Sequence, residues 1–139
     1  MRQILLFAAL AASLALLSGC ALSKAKEDKA DMTDKAAYQK ISAEEAYEMM
    51  ASQEVVVVDV RTREEYDGGH IENAVLVPNE SIDSEMPEAL PDKEATLLVY
   101  CRSGRRSKDA AQKLLKLGYQ SVYDFGGIID WPYELVKEG

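Results

Sequence analysis

The run Val55-Val56-Val57-Val58 constrains the fold more than any other feature of the chain: four β-branched residues with nothing polar between them. A strand with one wet face alternates apolar and polar side chains, whereas an unbroken run suits a parallel strand buried on both faces. Thr96-Leu97-Leu98-Val99-Tyr100 has the same character. Strands are predicted over Tyr38 to Ile41, Val55 to Asp59, Ala74 to Val77, Thr96 to Tyr100 and Ser121 to Asp124. Helix signals fall between them. Ser42 with Glu45 reads as a capping box, followed at helical spacing by Ala43, Ala46 and Met50; Thr62 with Glu65 reads as a second, for one short turn before Gly68-Gly69. Ala110, Ala111, Leu114, Leu115 and Leu117 form an apolar stripe, and Gly118 stands where a left-handed C-terminal cap is wanted. Residues 81–92, which include Pro87 and Pro91, predict a short helix or turn plus loop. Strands alternating with helices predict an α/β fold with a mostly parallel sheet, whose ligands bind beyond the carboxyl ends of the strands.

The N-terminal region bears on where such a domain works. Arg2 followed by the apolar run Ile4 to Leu17 has the form of an export signal, too short to span a bilayer comfortably. It closes with Leu17-Ser18-Gly19-Cys20, which resembles the bacterial lipoprotein signal, where cleavage before the cysteine follows attachment of a diacylglyceryl group to its sulfur. An ordinary cleaved signal ending in cysteine is the alternative. The expected organisation is a lipoprotein signal peptide over residues 1–19, the lipidated Cys20 with a charged tether over 20–36, and one domain over 37–139. The tether alternates charge and lacks large apolar groups, so it reads as a solvated linker, with a short charged helix as the alternative. Two or more acyl chains, such as palmitate, hold a protein stably to a membrane where one does not. The expected location is the bacterial cell envelope, lipid-anchored, with the domain on the extracytoplasmic side.

Charge excludes one class of partner. The chain has 16 basic against 24 acidic side chains, a net charge of −8, and loss of Arg2 with the signal makes it −9. Such a balance repels nucleic acid and anionic head groups, so membrane attachment falls to the lipid. The chain is expected to act as a monomer.

With Cys20 lipidated, Cys101 is the one thiol left and no intramolecular disulfide can form. It opens the heptad Cys101-Arg102-Ser103-Gly104-Arg105-Arg106-Ser107, between a strand pattern and a helix pattern. A thiol at that junction faces backbone N–H groups and a helix N-terminus, which favour thiolate over thiol. Gly104 permits the loop to curl around the sulfur. Arg102, Arg105 and Arg106 add charge that would draw in a small anion, and Ser107, with Ser103, would offer it a hydroxyl. Two adjacent cations at a helix N-terminus oppose the helix dipole, so three arginines in this heptad of an acidic protein ask for an anion.

The heptad, with Asp59-Val60-Arg61 and Glu64-Glu65-Tyr66 upstream, Gly69-His70-Ile71-Glu72-Asn73-Ala74 after them, and Gly126-Gly127-Ile128-Ile129-Asp130-Trp131 near the end, resembles a single-domain rhodanese, a sulfurtransferase. The likeness covers roughly residues 38 to 135, with four motifs in order. It implies a five-stranded parallel sheet flanked by helices and a double-displacement reaction without metal or organic cofactor. Cys101 would be the nucleophile, taking sulfur from a small anionic donor such as thiosulfate to become a persulfide. Residues 102 to 107 would cradle the substrate and the persulfide. The persulfide would then pass sulfur to cyanide in an assay or to a thiol, small or on a protein, in the cell. Asp59 and Arg61 read as structural, with Arg61 paired to Glu64 or Glu65; His70 is placed in a structural turn and Trp131 in packing at the domain edge.

Two other readings compete. Cysteine phosphatases and arsenate reductases place arginine six positions after the cysteine, where this chain has Ser107, and Arg106 comes one residue early. A persulfide carrier or redox sensor would use the same activated thiol without turnover, but a sensor usually needs a resolving cysteine, which a partner would have to supply.

Overall fold

The structure, a computed structural model, describes residues 37–138; the expected signal over residues 1–19, Cys20 and the expected tether over 20–36 lie outside the described residues. Five strands form one sheet: β1 (Gln39–Lys40), β2 (Val56–Asp59), β3 (Val75–Leu76), β4 (Thr96–Cys101) and β5 (Ser121–Gly127). Their order is β1-β5-β4-β2-β3 and every pairing is parallel. The helices are α1 (Ala43–Ser52), α2 (Arg63–Asp67) and α3 (Arg105–Lys116), with 3-10 turns at Asn79–Ser81 and Ile128–Asp130. No helix among the described residues is long and apolar enough to cross a membrane.

Both faces of the sheet are covered, which is why Val55 to Val58 contains no polar residue. Val58, Leu97, Val99 and Val122 pack on one side with Ala110, Ala111 and Leu114 of α3. Val57, Leu98 and Phe125 pack on the other with Ala46 of α1 and Tyr66 of α2. Each large aliphatic side chain so buried contributes about 1.5–3 kcal/mol. Side chains alternate along a strand, so the parity that sends Leu97 and Val99 toward α3 sends Cys101 there too. The thiol therefore faces the helix that follows it.

Both capping boxes form in full, Ser42 with Glu45 and Thr62 with Glu65. Gly118 takes φ 97° just past α3, as a left-handed cap requires. The edge strands β1 and β3 are only two residues long, shorter than the expected Tyr38 to Ile41 and Ala74 to Val77, because an edge position pairs on one side only. In residues 81–92 the helical turn begins earlier than expected, at Asn79, and the rest is irregular. The largest difference is in β5, which continues three residues past Asp124 to Gly127. Val99 pairs with Asp124 but Tyr100 pairs with Gly126, so Phe125 is an inserted residue, a bulge. The Asp124 carboxylate secures it by accepting the Gly126 N–H at 2.9 Å. Beyond the bulge Cys101 lies beside Gly127.

Candidate active site

Cys101 ends β4 at the carboxyl edge of the sheet, 1% exposed and free of any disulfide. The backbone then turns through Gly104, whose φ of 100° is open to glycine at low cost, and enters α3 at Arg105. That turn aims the Gly104 N–H at the sulfur, 3.0 Å away. No side chain caps this helix end, so its first N–H groups face the site. Burial pushes the Cys101 thiol up. The donors gathered around the sulfur, the Ser107 hydroxyl and the N–H groups of Ser107, Gly104 and Ser103, outweigh it and hold the thiol below its ordinary range.

Close approach of two strands makes the cradle. A Cβ on Gly127 would run into the Arg102 carbonyl and lie 2.6 Å from the Ser103 Cα. Gly126 has φ 92°, and a Cβ on Gly104 would touch its Cα at 3.6 Å. Arg102 O also accepts the Ile129 N–H at 3.3 Å. The Gly-Gly pair is thus the floor on which residues 102–104 rest, a role sequence reasoning did not give it.

The other heptad residues divide. Arg102, Ser103 and Arg105 are exposed, and neither arginine forms an ion pair among the described residues. Arg106 is committed: it grips both Glu65 oxygens at 2.8 Å, so it brings charge near the sulfur rather than a free fork for substrate. The Arg106 guanidinium, with the α2 cap, holds the Glu65 carboxyl down at about 2 against the opposing effect of burial. Ser107 has a partner that its local sequence does not suggest: it is fully buried, and its hydroxyl lies 2.7 Å from the Asp124 carboxylate.

Arg61 also differs in its partner. It pairs with Asp59, at 2.6 Å from Nη2, and not with Glu64 or Glu65. Arg61 Nη2 donates to Gly69 O at 2.8 Å and the Tyr100 hydroxyl donates to Asp59 at 2.6 Å, so a buried brace joins β2, β4 and the 69–71 turn. His70 is 4% exposed, stacked on Tyr66 at 3.7 Å with Nδ1 2.9 Å from Tyr66 O. It is part of that turn. Trp131 packs against Phe125 and Tyr133. Sequence patterning does not single out Asp124, Tyr38 or Tyr100; the visible signal for Asp124 is a carboxylate set within the apolar strand Val122-Tyr123-Asp124-Phe125.

Residues 42–132 match the rhodanese-like domain family. The chain belongs to the rhodanese family. Among solved structures it is similar to an Escherichia coli rhodanese with anions, at 34% identity and TM-score 0.56, covering 61% of this chain and 100% of that one. It is also similar to a human single-domain sulfurtransferase, at 27% identity and TM-score 0.60, covering 66% and 93%. A curated relative, a tRNA uridine(34) hydroxylase of Yersinia pestis, is 32% identical over 104 residues, which are 71% of this chain and 29% of that protein. The chain thus spans under a third of the length of the curated relatives it matches. A strand-end cysteine under a loop of N–H groups, its thiol held below the ordinary range, is chemically suited to act as a nucleophile.

Proposed function

We propose that this rhodanese is a thiosulfate sulfurtransferase, moving sulfane sulfur from thiosulfate or a similar small anion to a thiophilic acceptor through a persulfide on Cys101. The observation that carries the reading is the buried sulfur under the Gly104 N–H, its thiol held below the ordinary range. In the first step the Cys101 thiolate attacks the outer sulfur of thiosulfate. A sulfur–sulfur bond forms to the protein, the bond to the sulfonate sulfur breaks, and sulfite leaves with the electron pair. In the second step cyanide or a thiolate attacks the outer persulfide sulfur, and the Cys101 thiolate leaves. Two covalent half-reactions should give ping-pong kinetics.

Arg102 and Arg105, exposed at the mouth, attract the anionic donor, with the Ser103 hydroxyl beside them. Arg106 adds a fixed charge oriented by Glu65. A persulfide sulfur needs a smaller ring than a phosphate, and Arg106, whose charge reaches the sulfur, is already held by Glu65, which speaks against phosphoryl chemistry. The net charge of −8 favours a small anion drawn to a local basic mouth over an RNA substrate. The site works, in this proposal, on the extracytoplasmic side of a bacterial membrane, held there through lipid on Cys20.

The test is to incubate the full chain with thiosulfate and cyanide, following thiocyanate and intact mass, with Cys101→Ser as control. A one-sulfur adduct on the wild type alone, with sustained thiocyanate release, is expected. An adduct without turnover would make the protein a persulfide carrier, and no adduct would overturn sulfur transfer. Protein extracted from the membrane of the expressing bacterium should be heavier than the chain from Cys20 by its acyl groups.

A further inference from the structure

Asp124 is 1% exposed and gathers donors from three places. The Ser107 hydroxyl of α3 lies at 2.7 Å, the Gly126 N–H of its own strand at 2.9 Å, and the Tyr38 hydroxyl, beside β1, at 2.6 Å. Lys40 of β1, half exposed, brings its ammonium to 3.5 Å. Burial, with Asp124 adding to it, holds the Tyr38 phenol well above its usual range, so Tyr38 remains a donor.

Ser107 has one hydroxyl proton and more acceptors than it can serve. Its oxygen lies 3.1 Å from Gly104 O and 3.3 Å from Gly126 O as well as close to Asp124, and the same Gly104 donates its N–H to the sulfur at 3.0 Å, so the hydroxyl stands beside Cys101 and favours its anionic form. It cannot donate to Asp124 and to the sulfur together. Against a neutral thiol the carboxylate is the stronger acceptor; against a thiolate or persulfide anion the choice depends on how well Asp124 is satisfied by other donors.

We propose that Tyr38, Asp124 and Ser107 form a hydrogen-bonded relay from the edge strand to the reactive sulfur. Tyr38 and Lys40 hold the carboxylate, so that Ser107 can turn its hydroxyl from Asp124 to the sulfur anion. No proton changes owner within the relay; the Ser107 side chain turns from one acceptor to the other, and the thiol proton leaves to water. Tyr38, Lys40 and Asp124 are positioning residues that act through Ser107. The other charged groups facing the site are Arg106 of α3, its partner Glu65 of α2, and Glu80 of the 3-10 turn after β3. The relay rests on Cys101 being the working nucleophile, yet its test needs neither sulfur donor nor acceptor.

In the full chain, alkylation of Cys101 by iodoacetamide is followed by peptide mass across pH. Below the midpoint the rate follows the thiolate fraction. Ser107→Ala should slow alkylation at neutral pH roughly tenfold, the worth of one hydrogen bond to a charged group. Tyr38→Phe, which removes no charge, should slow it roughly threefold, as a change transmitted through one intervening hydrogen bond. Lys40→Met should act in the same direction and, being half exposed, serves if the Tyr38 variant does not fold. All should reach the wild-type rate at high pH, where loosening of the fold would instead raise the rate throughout. In the Ser107→Ala background, Tyr38→Phe should add nothing. An unmoved midpoint in both single variants, or a Tyr38 effect that persists without the Ser107 hydroxyl, would overturn the relay. Failure of thiocyanate turnover would sink the sulfurtransferase reading and leave this result standing.

Discussion

Two aspartates stand toward the carboxyl edge of the same sheet, Asp59 ending β2 and Asp124 at the bulge of β5, and both are almost completely buried. Asp59 faces the Arg61 guanidinium, which takes both of its oxygens, and the Tyr100 hydroxyl fills what remains. Its charge is matched inside the protein. Asp124 meets neutral donors and one half-exposed lysine at 3.5 Å, and its neighbour across Ser107 is a thiol held below its ordinary range. The first arrangement is a brace. The second leaves negative charge only partly compensated next to a sulfur that must become an anion, as suits a site whose hydrogen bonds have to rearrange.

The comparison breaks first at the brace. Asp59→Ala leaves Arg61 buried without a counter-charge, and urea unfolding at neutral pH should show a loss of about 3–5 kcal/mol. Asp124→Asn should cost clearly less, since its partners are neutral or reach water; equal losses would mean the two clusters are the same kind of structure.

A smaller stability effect with a larger effect on chemistry is expected at the cradle. Gly127→Ala places a methyl against the Arg102 carbonyl, so the loop must shift. Unfolding should lose only about 1–3 kcal/mol, as overpacking does. Thiocyanate turnover should fall about a hundredfold, the scale of a displacement near 1 Å at a reacting atom. Turnover that falls only in proportion to stability would show that the floor does not set the sulfur's position.

The smallest effect is at the link between α2 and α3. Arg106 first, then the α2 cap, holds Glu65 at about 2 against its usual 4.5, with burial opposing. A depressed carboxylate stabilises the fold above its unfolded value and stops doing so as pH falls through the folded one. Arg106→Ala should therefore cost about 1 kcal/mol at neutral pH, the worth of a partly solvated pair. The gap to wild type should close between about pH 4.5 and pH 2, as followed by chemical unfolding against pH. A gap constant over that window would place the contribution of Arg106 in packing.

Signals read within a few residues were legible in advance. Each capping box joins positions three apart, the α3 stripe recurs every turn, and Cys101 follows an unmistakable strand, so those elements and the site's location were visible. Partners far apart in sequence were not. Glu65 and Arg106 are 41 positions apart, Ser107 and Asp124 are 17, and Tyr38 and Asp124 are 86. Local spacing pairs Arg61 with Glu64 or Glu65 where the structure pairs it with Asp59, because three acids lie within four residues of it and only the strand end decides which one it meets.

By itself the sequence determined a parallel α/β sheet buried on both faces, a thiol at a strand-to-helix junction, and a basic mouth on an acidic protein. Those follow from side-chain periodicity, local capping and charge, which act over one or two turns of chain. Tertiary structure decided which charges are free to meet a substrate: it committed Arg106 to Glu65 and Ser107 to Asp124, and left Arg102 and Arg105 open. It did so through strand register. One inserted residue at Phe125 brings Gly127 alongside Cys101, while Asp124, on the near side of the bulge, turns its carboxylate toward α3.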